Sequence, residues 1–321
     1  MPLNENAILA SSLGEKNEYE LSQKWGSLAL IEQDERARSQ AAISLQVIAF
    51  SLYGSEPLYG EGAVLNAQAI KKLLPHWCMR VYHDSSISSH LVQRLQQAGA
   101  QTISVNDTAI AHWPGTFWRF HAVSDPRVER VLFRDADSLI SEREVSLIEE
   151  WLQSSYPFHV MRDWYTHVEL ILAGLWGAHA PYLAHMPHWV EHYLAHEIEH
   201  CTHDDQLFLA QYIWPRIHRH TLVHDSVHPV LGAKDIAMPR EHFDISSVLG
   251  GYGAVSFPVT LTPPLPMGTY SVVISNVVSG EEICRYQRTA YNGVDHFRIP
   301  SYHHRMIESG QWKIDVVSVS S

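Results

Sequence analysis

From residue 43 to residue 162, short apolar runs alternate with amphipathic helical patterns, and this alternation leaves few folds open. Strand patterns are read at residues 43–52, 79–83, 101–105, 128–133 and 158–161. Helical patterns lie between them at 63–74, 88–98 and 142–153, and an aromatic stretch covers 113–121. The prediction is an α/β domain with a mixed, mostly parallel sheet and helices on both faces. Ligands of such sheets sit beyond the C-terminal ends of the strands. An apolar segment at 170–176 and helices around 182–200 and 205–214 continue the pattern.

The two ends read differently. Residues 1–40 form a polar lead-in with one helical stretch near 21–38, and residues 41–256 carry the α/β pattern. Residues 257–321 become Pro-rich and then alternating and β-branched. This predicts a small β-rich module of about four strands, with turns at Ser279-Gly280, Asn292-Gly293 and Ser309-Gly310. Its Tyr286, Tyr291, Tyr302 and Trp312 are either sugar-stacking faces or ordinary core.

Composition narrows the partners. Lys and Arg number 23 against 35 Asp and Glu, a net charge of −12, which argues against nucleic acid or an anionic membrane. Cys78, Cys201 and Cys284 are too scattered for a disulfide framework or a Cys-based zinc site. There is no leader pattern and no membrane-spanning apolar run, so a soluble cytoplasmic protein is expected.

The most informative segment is Val131-Leu132-Phe133-Arg134-Asp135-Ala136-Asp137-Ser138. An apolar strand runs straight into two carboxylates at i and i+2. At a strand end both can turn toward one hard cation. A divalent ion held there, Mn²⁺ or Mg²⁺, can bridge two phosphates and neutralise the charge on a departing diphosphate. Asp-x-Asp alone also occurs in ordinary surface turns. Asp163 likewise follows a buried strand, and Arg162 beside it could pair with it.

After that segment come Glu144 and Trp151, Met161-Arg162-Asp163, His167 and Gly174-Leu175-Trp176-Gly177. Asp205-Gln206-Leu207-Phe208-Leu209, Trp214-Pro215 and His224-Asp225 follow. This ordered set resembles the metal-dependent glycosyltransferases of GT-A fold over roughly residues 43–250, and in motif order the retaining, glycogenin-like branch. The resemblance implies transfer of a sugar from a nucleoside diphosphate sugar, UDP favoured, to an acceptor hydroxyl on a glycan, protein, lipid-linked sugar or small molecule. It implies that Asp137 binds the metal directly, that Asp135 contacts the ribose or the metal, and that His224 is a third metal ligand from a late loop. It further implies that Arg119 meets the donor phosphates or sugar, that Arg162 pairs with Asp163 or with an oxygen of the sugar donor, and that Tyr53 and Gly54 hold the base. Gly174 would let backbone approach the sugar, and Asp205 and Gln206 would face the donor or acceptor. An inverting enzyme needs a carboxylate base, for which Asp205 and Asp163 are the candidates.

Two other readings stand beside this one. His196-Glu197-Ile198-Glu199-His200 matches the H-E-x-x-H pattern of zinc hydrolases. The metzincin continuation is missing, and 22 histidines inflate chance matches. His188, His192 and His196 also fit one polar helical face. The third reading is a non-catalytic nucleotide-sugar or carbohydrate-binding protein.

Overall fold

The structure, a computed structural model, describes residues 5–16, 18–41, 44–196, 203–236, 256–261, 265, 268–290 and 294–318. The chain divides into two compact units, Met1–Leu45 and Gln46–Ser321. In the first, α1 (Glu5–Glu15) and α2 (Tyr19–Ala41) pack together, and Ser22 Oγ donates to the carbonyl of Ala10 (2.8 Å). The sequence reading had one helix here; the structure has two.

In the second unit the predicted alternation is present. Strands β1 (Leu45–Leu52), β2 (Trp77–His83), β3 (Gln101–Ser104), β4 (Val128–Arg134), β5 (Phe158–Arg162), β6 (Leu175–His179), β7 (Thr221–Asp225) and β8 (Lys234–Asp235) form one eight-stranded sheet. Their spatial order is β3-β2-β1-β4-β6-β5-β7-β8. The β1–β2, β2–β3, β5–β7 and β7–β8 pairs are parallel, and β6 runs antiparallel to both β4 and β5. The sheet is therefore mixed and mostly parallel. The connecting helices are α3 (Pro57–Leu73), α4 (Ser89–Gln97), α5 (Glu142–Gln153), α6 (Met186–His196), α7 (Asp204–Phe208) and α8 (Trp214–Ile217). Ser88 and Ser141 cap α4 and α5, each hydroxyl accepting a backbone N–H three residues on.

One helix starts earlier than its sequence suggests. The sequence pattern places it at 63–74. In the structure Pro57 occupies the first turn of α3, and Gly60 and Gly62 are helical. Packing explains Gly62: a Cβ there would lie 2.3 Å from the carbonyl oxygen of Ala136. The core below α3 holds Ile48, Phe50, Leu52, Ala67, Ile70, Leu132 and Trp151, all buried. Each large apolar side chain there contributes roughly 1.5–3 kcal/mol by leaving water.

The C-terminal module has a three-stranded antiparallel sheet in the order β11-β10-β13 and a two-stranded sheet of β12 and β9. These are β9 (Ser256–Leu261), β10 (Thr269–Asn276), β11 (Glu282–Thr289), β12 (Asp295–Pro300) and β13 (Trp312–Ser318). A helix the sequence reading lacked, α9 (Ser301–Glu308), follows β12. Tyr270, Val272, Ile274, Cys284, Phe297, Ile299 and Trp312 form the module's own core. Trp312 is thus core, not a sugar platform, and Tyr291 lies outside the described residues. Among the described residues no helix is long and apolar enough to cross a membrane.

Candidate functional site

The C-terminal ends of β1 and β4, the start of β6 and the start of α7 converge on a cleft of about 470 Å³. β1 delivers Ser51, Leu52 and Tyr53, and the turn after β4 delivers Asp135, Ala136, Asp137 and Ser138. Gly174 and Leu175 enter from β6, Asp205 and Gln206 from α7, and Arg119 from a 3₁₀ helix, Gly115–Ser124. Of the predicted site residues, Tyr53, Arg119, Asp135, Asp137, Gly174, Asp205 and Gln206 all line this one cleft.

Arg119 organises it. Its side chain is buried, and its guanidinium bonds Asp135 Oδ1, Asp205 Oδ2 (2.7 Å) and the carbonyl of Arg134 (3.1 Å). Its Nε is buried without a partner. A planar fork reaching two carboxylates 70 residues apart in sequence ties the turn after β4 to α7. Burial raises the Asp205 carboxyl above its ordinary range despite the Arg119 charge.

The carboxylate pair differs in setting. The Asp135 side chain is 48% exposed, whereas Asp137 is 7% exposed. Burial, reinforced by the Asp135 charge, pushes the Asp137 carboxyl up to about 7. Two carboxylates crowded this way favour a cation, which relieves both the desolvation and the mutual repulsion. The donor set thus fits a hard divalent ion.

A second arginine supports the turn from behind. Arg134 is fully buried, pairs with the equally buried Glu144 of α5 (3.2 Å), and donates to the carbonyl of Gly174 (3.0 Å). Tyr53 stands at the rim, half exposed, its ring edge-on to Trp118 at 5.6 Å. Gly54 is beside the cleft instead of in its wall: it takes a positive φ of 79° and its N–H donates to Ser86 Oγ.

Three predicted residues lie elsewhere. His224 sits on β7, between β5 and β8 in the sheet, and not on a loop. It is fully buried, its Nδ1 2.8 Å from Nε2 of His159 and its Nε2 3.5 Å from Glu150. Burial lowers the pKa of both imidazoles. His224 is not among the residues that line the cleft with Asp135 and Asp137. Arg162 bonds Asp225 (2.6 Å) and the carbonyl of Leu170 (3.1 Å), and Asp163 pairs with Arg143. Both brace the segment after β5 and do not line the cleft.

That segment supplies a wall residue the site prediction lacked. His167 accepts the N–H of Asp163 at Nδ1 (3.0 Å) and lines the cleft, with burial lowering its pKa to about 4. It is a neutral polar wall at ordinary pH. His167 stands in the ordered motif set, which is the signal that could have nominated it. His203, Thr116 and Tyr59 also line the cleft and carry no such signal.

Among the described residues the one three-donor grouping is Glu61, Cys284 and His303, all buried. Arg94 already bonds both Glu61 oxygens at 2.7 Å, so a cation there would meet a fixed positive charge. Of the H-E-x-x-H segment, His196 is exposed with its Nδ1 against the carbonyl of His192, and Glu197 and His200 lie outside the described residues.

The sequence matches no protein-family model and no curated protein. Solved structures give remote likenesses. A glycosyltransferase involved in glycosylation of the major capsid of PBCV-1 is 15% identical over 57% of this chain and 82% of its own, with a TM-score of 0.37. A 4-diphosphocytidyl-2C-methyl-D-erythritol synthase from Anaerococcus prevotii is 12% identical over 58% and 89%, TM-score 0.39. A glucosyl-3-phosphoglycerate synthase from M. tuberculosis, solved with Mg²⁺ and UDP, is 16% identical over 46% and 61%, TM-score 0.33. The chain's own topology therefore defines the architecture: a mixed, mostly parallel α/β sheet with a small antiparallel β module.

Proposed function

We propose that the chain is a glycosyltransferase that moves a sugar from a nucleoside diphosphate sugar, UDP favoured, to an acceptor hydroxyl. The observation that carries this reading is the strand-terminal pair Asp135/Asp137 on a cleft that also holds Arg119 and Asp205. Asp135 and Asp137 would hold Mn²⁺ or Mg²⁺, which supplies charge neutralisation for the diphosphate. Arg119 orients Asp135 and Asp205 and brings a fixed positive charge to the cleft beside them. Tyr53 offers a ring face for the base, and Gly174 leaves room beside Asp135. Asp205 is the carboxylate nearest to a proton-transfer role, while the motif order supports a retaining outcome.

The test is calorimetric titration of UDP and GDP with and without Mn²⁺. Metal-dependent binding of a nucleoside diphosphate, lost in Asp137→Ala, is the expected result. Equal binding by Asp137→Ala and the parent would remove the metal role. Absence of binding by the parent to either diphosphate would remove the donor class.

A further inference from the structure

We propose that the C-terminal β module is a positioning part of this site, acting through α3. The inference rests on the reading of Asp135 and Asp137 as site carboxylates, and names a structural control on them.

One end of the connection is a clamp on the carboxylate turn. Asn66, fully buried on α3, donates from Nδ2 to the carbonyls of Ala136 (3.3 Å) and Ser138 (3.0 Å). Its Oδ1 accepts the N–H of Ile140 (3.1 Å). One side chain therefore holds backbone on both sides of Asp137. Gly62, one helical turn earlier, rests directly on the Ala136 carbonyl. Residues 62 and 66 share a helix face, so both contacts with the turn come from one side of α3.

The other end is a latch to the module. Glu61, adjacent to Gly62, is 1% exposed and accepts from Tyr286 of β11, from His303 of α9 (3.0 Å) and from both Nη atoms of Arg94. Burial favours the neutral acid, but the Arg94 and His303 hydrogen bonds outweigh it and hold the Glu61 carboxyl at about 2. Glu56, just before α3, accepts from the backbone N–H of Arg298 and pairs with Arg288 (3.4 Å). The N-terminal half of α3 thus carries buried hydrogen bonds from Glu61 to the module, and a partly exposed ion pair from Glu56, beside a close-packed contact to the Asp137 turn. A shift of the helix at the latch is a shift at the turn.

The experiment follows hydrogen exchange by mass spectrometry over residues 135–141 in the full chain, with Mn²⁺-dependent UDP titration alongside. Tyr286→Phe removes one hydroxyl at the latch, and Asn66→Ala removes the clamp. Both are expected to speed exchange of the Ser138 and Ile140 amides about fivefold or more and to weaken metal-dependent UDP binding by a similar factor. The double variant should be no worse than the poorer single, because both act along one connection. Amides of β5 at His159 and Val160, on a strand that neither substitution touches, should keep the parent rate, which separates this effect from general unfolding. Tyr286→Phe that lowers the melting temperature yet leaves turn exchange within about twofold of the parent overturns the proposal. Should the parent bind neither Mn²⁺ nor UDP, the donor reading falls, and the exchange rates still decide the coupling.

Discussion

Gly174 lies so close to Asp135 that a Cβ built on the glycine would sit 2.0 Å from the carboxylate Oδ2 and 2.9 Å from the aspartate's backbone nitrogen. No L side chain fits between the start of β6 and the turn after β4. Gly174→Ala should therefore displace Asp135 and weaken Mn²⁺-dependent UDP binding by about tenfold to a hundredfold, since small misplacements of a site group cost that much. Titration calorimetry on the purified variant checks it; parent-like affinity would mean that Asp135 is not needed where it stands.

Arg119 is the shared counter-ion of Asp135 and Asp205. Truncation in Arg119→Ala leaves the buried Asp205 unpaired and should cost about 3 kcal/mol or more in urea unfolding. Arg119→Lys keeps the charge but cannot reach both carboxylates as a planar fork, so it should recover only part of that loss. Full recovery by lysine would show that charge alone matters here.

Gly62→Ala tests packing against propensity. Alanine improves an interior helix position by about 1 kcal/mol. The new Cβ would meet the Ala136 carbonyl, which is backbone and cannot swing aside. We expect net destabilisation of roughly 1–3 kcal/mol by thermal or urea unfolding. A stabilised variant would mean that α3 is free to slide on the turn.

Acid should loosen the latch in a defined window. The Glu61 carboxyl is held at about 2 in the folded chain against an ordinary 4.5. A depressed acid stabilises fully above its unfolded value, and that contribution is lost as pH falls from about 4.5 toward 2. The contribution is on the order of 3 kcal/mol. Glu61→Gln should be less stable than the parent at neutral pH, and its stability should fall less steeply with pH across that window. The buried His159 and His224, whose pKa values are lowered, work the same way at higher pH: their share is present above about 6.5 and declines below it. Urea midpoints measured from pH 7 to pH 3 for the parent and Glu61→Gln compare the two slopes.

Local chemistry was legible in the chain where a single segment carries the whole signal. The helix Glu142–Gln153 has the bounds the sequence predicts; its cap Ser141, the acidic residues of its first turn and its apolar stripe are all neighbours in the chain. The strand-terminal Asp135 and Asp137 were legible for the same reason. His224 was not. As a residue type beside carboxylates it looks like a ligand, but the parallel pairing of β7 with β5 places Met161 opposite His224 and buries the imidazole against His159.

The alternation of strands and helices, the sheet class and the carboxylates that end a buried strand are all written in the local pattern of the chain. Each of these follows from periodicity and from neighbours a few residues away. The tertiary structure alone decided that Arg119 joins Asp135 to Asp205, that Asn66 grips the turn 70 residues on, and that Tyr286 reaches Glu61 across 225 residues. Such contacts arise from where the sheet and module set two distant segments side by side. A polar side chain with a remote partner has no local period, so nothing near it in the chain announces the bond.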